Sequence, residues 1–365
     1  MSSPLEGITV ADFSRVLAGP YCTMLLGDLG AQVLKIERPG TGDDTRHWHP
    51  PTDPDGRATY FESVNRNKTS VSIDLSTDEG RQQARDIAST ADILVENFHP
   101  GTMAKFGLDH QSLAADNPGL VYCSITGFGS GAGAELPGYD LLVQAVGGLM
   151  SITGPGPGQP TKVGVAMVDV LTGMHATVGI LAALRHRERT GAGQHVEVSL
   201  LSSLLSGLVN QAGAVVGAGQ IPGILGNAHP SIAPYTSFRA ADRDLVIAVG
   251  NDRQFAALCS LLDRDDLIQE PRFATNPQRV AHRPELEAEL QRTLATRPAA
   301  HWVELCGQAG VPAGPINDIA EAIELAGRLG LEPVAEIDGR PTVSHPIRFS
   351  RTPASYRLPP PDLAP

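Results

Sequence analysis

With 365 residues, 41% hydrophobic and 19% charged, the chain has the composition of a globular protein with room for one large domain and a smaller one. A formal net charge of −12 at pH 7 argues against general attraction to nucleic acid or an anionic membrane surface, so an anionic ligand needs a local basic patch. The cysteines Cys22, Cys123, Cys259 and Cys306 show no CxxC spacing, which points to a reducing cytoplasm and away from a disulfide or zinc framework.

The opening MSSPLEGITVADF lacks the basic-then-apolar pattern of a signal peptide. Ile8 to Phe13 predicts a first strand, Ala18 to Gly30 a helix with Cys22, Leu25, Leu26 and Leu29 on one face, and Gln32 to Glu37 a second strand. That β-α-β order implies a right-handed parallel unit. The pattern repeats with strands at 70–75, 92–98 and 120–126 and a helix at 77–90. In such a sheet, ligands bind beyond the carboxyl ends of the strands. Those ends carry Ser14-Arg15-Val16, Glu37-Arg38, Glu96-Asn97-Phe98 and Thr126-Gly127. Arg38, Arg46, Lys68 and Lys105 are the nearby cations available to phosphates, although each alone reads equally as solvated surface charge.

The glycine runs at 127–133 and 154–158 match neither a dinucleotide fingerprint nor a P-loop. His47-Trp48-His49 has no further ligand spacing and reads as loop packing, so no metal site is expected. From Val198 to Phe238 there is no charged residue, yet serines, Asn210 and Gln211 interrupt the apolar run. A buried or subunit-interface helix is expected there, with no membrane contact. Beyond Pro222-Gly223 the pattern predicts a strand at 244–250, a helix at 252–262 capped by Asp252, helices at 284–294 and 299–308, a short strand at 312–316 and a helix at 319–326. A strand-like, proline-rich tail follows. The boundaries are therefore a large domain over 1–224, rejoined by 331–365, and a small α+β domain over 225–330.

The chain is organised around Thr161 to Gly193. Leu171, Met174, Val178, Leu181 and Leu184 recur at threes and fours, the period of a buried helix face. Arg185, His186, Arg187 and Arg189 suit its carboxyl end, and Gly191 stops it. Asp169 falls at or just before the amino end. It reads as an N-cap, and also as a carboxylate nucleophile with room for substrate beside Gly164, Ala166 and Gly173.

The segments PLEGITVADFSRVLAGPYCTMLLGDLGAQVLKIERPGTGDDTR, NRNKTSVSIDL, ADILVENFHPGTMAKFGL and VGVAMVDVLTGMHATVGILAALRHRERTGAGQHVEVSL resemble, in order, the class III coenzyme A transferases, the family of formyl-CoA:oxalate and carnitine CoA-transferases. The resemblance implies an α/β fold, with a Rossmann-like large domain and a parallel sheet plus a smaller α+β domain. It further implies a ring-shaped chain in an interlocked homodimer. It puts the catalytic aspartate on Asp169 and CoA contacts on Val16, Arg38, Asn97, Phe98, Lys105 and Phe106. Tyr139 and Asp140 then orient the acyl group.

Several positions depart from the family pattern. Leu17 stands where the oxalate enzyme has glutamine, and Gly226-Asn227-Ala228-His229-Pro230 replaces its glycine-rich loop. Tyr139-Asp140 replaces the His-Asp of α-methylacyl-CoA racemases, which favours transfer over racemisation.

The implied reaction is CoA transfer from an acyl-CoA, succinyl-CoA among the candidates, to a free carboxylic acid. It passes through aspartyl anhydride and aspartyl-CoA thioester states, with the CoA thioester as substrate and no permanently bound cofactor. An acyl-CoA isomerase and a catalytically silent CoA-binding protein are the alternatives.

Overall fold

The computed structural model describes residues 3–365. The chain divides into two compact units, one of Met1–Leu149, Lys162–Ile221 and Glu332–Pro365, the other of Met150–Thr161 and Pro222–Leu331. The sequence boundaries keep 150–161 with the large domain. In the structure this stretch contacts the segment after Pro222, where a Cβ on Gly154 would lie 3.5 Å from Ile224 Cδ1.

The first unit is built on six parallel strands in the order β3-β2-β1-β4-β5-β6: β1 Thr9–Asp12, β2 Gln32–Glu37, β3 Lys68–Ser72, β4 Ile93–Glu96, β5 Val121–Thr126 and β6 Gln194–Ser199. Val10 is in register with Val33 on one side and Ile93 on the other. Both faces are covered, so the central strands are apolar on both sides. Val10, Val33, Ile93 and Cys123 face the helices Ala18–Asp28 and Met167–Thr190, while Ala11, Leu94 and Tyr122 face the opposite core with the helix Asp78–Thr90. The strand order reverses between β1 and β4, so the loops leaving these two strands diverge and open a crevice. Ser14-Arg15-Val16 leaves β1 there, and Asn97-Phe98 leaves β4.

The long helix Met167–Thr190 corrects the expected buried face. Of the expected face Leu184 is buried and Leu171 partly so, but Met174, Val178 and Leu181 are exposed, and the buried face is instead Val168, Thr172, Gly173, Ala176, Thr177 and Ile180. The centre of the buried face is set by close approach: a Cβ on Gly173 would stand 2.6 Å from the Ala18 carbonyl oxygen, so no side chain fits at that position. This helix is by itself long and apolar enough to cross a membrane. The uncharged stretch after β6 forms two helices, Leu200–Gly207 and Val209–Ala218, bent by 84°.

The proline-rich tail returns to the same unit. Asn67 N–H donates to the Leu358 carbonyl at 2.8 Å, and Arg357 N–H donates to Asn67 Oδ1 at 2.7 Å. In the second unit three antiparallel strands, β7 Tyr235–Arg239, β8 Asp244–Ala248 and β9 Ala313–Pro315, pack on the helices Asp252–Leu261, Arg283–Leu294 and Ala299–Gln308. The first of these helices is capped by Asn251 rather than the expected Asp252, because the Asn251 side chain accepts from Gln254 N–H at 3.0 Å.

Candidate active site

Asp169 is half-buried at the third position of the long helix, whose N-cap is Ala166. The capping reading of Asp169 is therefore replaced by another residue. Asp140, first residue of the helix Asp140–Val146, accepts from Val168 N–H at 2.8 Å and from Asp169 N–H at 3.2 Å through Oδ1. Its Oδ2 accepts from Gln144 Nε2 at 2.6 Å, and Gln144 Oε1 accepts from Val163 N–H at 2.9 Å. Asp140 thus caps the first turn of the long helix, while lining the same cleft as Asp169. Two amides that would otherwise favour a charge on Asp169 are given to Asp140. Burial, and secondarily the Asp140 charge, push the Asp169 carboxyl up to about 7. The Asp169 carboxylate has no hydrogen-bond partner among the described residues.

A cleft of about 330 Å³ brings Asp169 together with Val16, Leu17, Ala18, Asn97, Phe98, Tyr139 and Asp140. Leu17 and Ala18 begin the helix Ala18–Asp28, and their N–H groups have no acceptor among the described residues. Such amides suit a developing oxyanion. Asn97 is committed to the backbone: Oδ1 accepts from Arg15 N–H at 2.9 Å and Nδ2 donates to the Arg15 carbonyl at 2.7 Å. Val16 lies at φ 69°, a conformation rare for a β-branched residue, and its N–H sits 3.3 Å from both carboxylate oxygens of Asp43.

A second cleft of about 230 Å³ is lined by Arg38 and Phe106, and shares Arg15 and Phe98 as a wall with the first. The Arg15 guanidinium lies 5.3 Å from the centre of the Phe98 ring. Of the four expected cations, Arg38 and Lys105 are exposed and form no ion pair among the described residues; Lys105 lines neither cleft. The other two are committed elsewhere. Arg46 forks onto Glu37 at 2.9 and 2.7 Å and stacks on Phe61. Lys68 is fully buried, donating to Asp12 at 3.1 Å and Asn65 at 3.0 Å.

Sequence reasoning missed Gln144, Asp43 and Tyr60. Tyr60 packs with Val16, Leu17, Ala166 and Val170 beside this site, and burial, with the Asp169 charge next among the causes, pushes its phenol up to about 12, so it stays a neutral hydroxyl. No local pattern flags an aromatic residue more than a hundred positions away. Among the described residues no group of three or more His, Cys, Asp or Glu is arranged to hold a metal ion.

The model of CoA-transferase family III matches residues 5–364. Succinate–glutarate CoA-transferase of Agrobacterium fabrum is 44% identical over 374 residues, covering 99% of this chain and 93% of that protein. Acetyl-CoA:oxalate CoA-transferase of Acetobacter aceti is 40% identical, covering 95% and 89%. A CaiB/BaiF family crystal structure from Brucella suis superposes with a TM-score of 0.90 at 42% identity, covering 100% of this chain and 97% of the other. The chain therefore belongs to the class III CoA-transferases, enzymes that move coenzyme A between an acyl-CoA and a carboxylic acid.

Proposed function

We propose that the chain moves coenzyme A from succinyl-CoA or a close analogue to a free dicarboxylic acid through two covalent states of Asp169. An Asp169 oxygen attacks the thioester carbonyl and the C–S bond breaks, giving a mixed anhydride and CoA thiolate. The thiolate attacks the Asp169 carbonyl carbon, releasing the donor acid as carboxylate and leaving an aspartyl-CoA thioester. The acceptor carboxylate then attacks that carbonyl, expelling thiolate again. The thiolate takes the acceptor carbonyl and frees Asp169. Thioester and anhydride are similarly activated, so no nucleotide is consumed.

One observation carries this reading. The uncommitted Asp169 carboxylate shares its cleft with Leu17 and Ala18, whose free amides suit the tetrahedral oxyanions. The acidic substrate class rests on relatives named for glutarate, oxalate and mesaconate. Mass spectrometry of enzyme mixed with succinyl-CoA should find the CoA adduct, or its hydroxylamine-derived hydroxamate, on the Asp169 peptide. An enzyme that turns over without ever gaining mass there rejects the mechanism.

Attack requires the ionised carboxylate, and burial raises its pKa to about 7. Below that value kcat/KM for the donor should fall roughly tenfold per pH unit, and it should level off above it. An initial-rate profile from pH 5 to 9 checks this. Arg38 and Lys105 are assigned to the CoA phosphates, with Phe98 and Phe106 beside the adenine. Arg38→Ala and Lys105→Ala should each raise KM for acyl-CoA roughly threefold to tenfold with kcat held. The loss should shrink as salt is added. A salt-independent KM removes the phosphate assignment.

The active species is proposed to be the interlocked homodimer of a cytoplasmic enzyme. The exposed apolar side chains of Met174, Val178, Val209 and Val216 give a partner surface, and all four cysteines are free and buried. Light scattering at micromolar concentration distinguishes dimer from monomer.

A further inference from the structure

Gln144 is completely buried, and both ends of its amide are used: Nε2 donates to Asp140 Oδ2 at 2.6 Å, and Oε1 accepts from Val163 N–H at 2.9 Å. This fixes which Asp140 oxygen turns toward the long helix. Asp140 Oδ1 then accepts the amides of Val168 and Asp169 itself. A rigid chain of hydrogen bonds therefore runs from the helix Asp140–Val146 to the backbone of the reacting residue. A carboxylate in this place does what a neutral cap does for geometry, and something a neutral cap does not do: it sets a negative charge against Asp169. Building on the reading of Asp169 as nucleophile, we propose that Gln144 and Asp140 form a clamp that positions Asp169 and tunes its basicity, with Gln144 acting from outside the cleft.

A carboxylate that is too acidic is a poor nucleophile toward a thioester, and one that is too basic is protonated at neutral pH; the clamp sets Asp169 between these limits. The raised Asp169 pKa agrees with this, its cause being burial first and Asp140 second. The other charged or titratable groups lining this cleft are Arg15, Asp44, His99 and Tyr139, and Tyr60 packs beside Ala166 and Val170 at the start of the long helix. None of them is hydrogen-bonded to the first turn of the long helix.

The clamp can be inverted. Asp140→Asn keeps an oxygen for the helix amides but turns an NH2 group onto the NH2 of Gln144. Adding Gln144→Glu restores an acceptor toward both that introduced NH2 group and Val163 N–H, while moving the charge one hydrogen bond further from Asp169. Asp140→Asn is expected to lower kcat roughly tenfold to a hundredfold through misplacement. It should also move the acid limb of the kcat/KM profile below 7. The double variant should regain most of kcat and keep an acid limb below that of wild type. An Asp140→Asn enzyme with the wild-type profile, or a folded double variant no faster than the single, overturns the clamp. Should Asp140→Asn not fold, the double variant decides alone by whether its acid limb lies below the wild-type one. A wild type that is never acylated on Asp169 defeats the underlying mechanism instead, so the two failures are told apart by mass.

Discussion

Asp169→Asn is expected to lower kcat for CoA transfer by roughly four orders of magnitude or more while leaving a folded protein that still binds acyl-CoA. The amide keeps the shape of the carboxylate but forms neither anhydride nor thioester, and no second carboxylate in the cleft can take its place. Asp140 is nearest, and both its oxygens are already bound by Gln144 and the helix amides. A variant retaining more than about a hundredth of the wild-type rate, without reversion to aspartate by deamidation, contradicts the nucleophile assignment.

The same substitution should make the protein more stable above neutrality. The folded chain holds the Asp169 proton up to about pH 7, while an ordinary aspartate in the unfolded chain releases it near 3.8. Between those values the folded state binds more protons, so wild-type stability falls as pH rises and is level above 7. Asparagine does not titrate. The melting temperature of Asp169→Asn should therefore exceed that of wild type by a margin that opens from pH 4 to 7 and then stays constant. Parallel melting curves across that window would show that the carboxylate is not desolvated.

The alternating strands and helices of the first unit are legible because parallel strands covered on both faces must be apolar and short. Arg15-Val16 and Asn97-Phe98 stand out for the same reason, as residues at the carboxyl ends of strands flanking the reversal in strand order. The sixth strand goes unmarked in the sequence reading, although Val196 and Val198 alternate with polar residues in QHVEVS. For the long helix, the apolar period finds Leu184 but turns Met174, Val178 and Leu181 inward, where the structure exposes them. Periodicity reports where large apolar residues lie, whereas this helix buries glycine, alanine and threonine against the Ala18 backbone. The chemical environment of Asp169 is hidden for another reason. Asp140 reaches the amides of Val168 and Asp169 from 28 and 29 positions away, Gln144 holds Val163 from 19, and Tyr60 precedes the site by more than a hundred residues; single-sequence spacing carries no trace of such neighbours.

Buried charge is the other feature that composition conceals, and it supports the second large prediction. Asp43 is 1% exposed and Lys35 is not exposed at all; they meet at 2.9 Å. Asp43 also accepts from Thr45 N–H and Oγ1 and steadies Val16 in its left-handed conformation. Asp43→Ala removes the counter-charge of a buried ammonium whose other direct partner is the Ser14 carbonyl at 3.1 Å. Removing one member of such a pair is expected to cost about 3–5 kcal/mol of stability.

Release of Val16 should also let the Arg15 and Phe98 wall relax, so KM for acyl-CoA should rise in whatever fraction remains folded. The pH dependence identifies the cause. Burial acts to raise the Asp43 pKa, but Lys35 and the Thr45 donors outweigh it and hold the carboxyl below its ordinary range. Its contribution is thus fully present above about pH 4 and lost as pH falls through the folded value. Asp43→Asn keeps the Oδ1 acceptor for Thr45 and Val16, and replaces the charged oxygen facing Lys35 with an NH2 group. Its deficit in melting temperature should be full at neutral pH and should close in acid; a deficit that persists unchanged in acid would trace the loss to packing rather than to the ion pair.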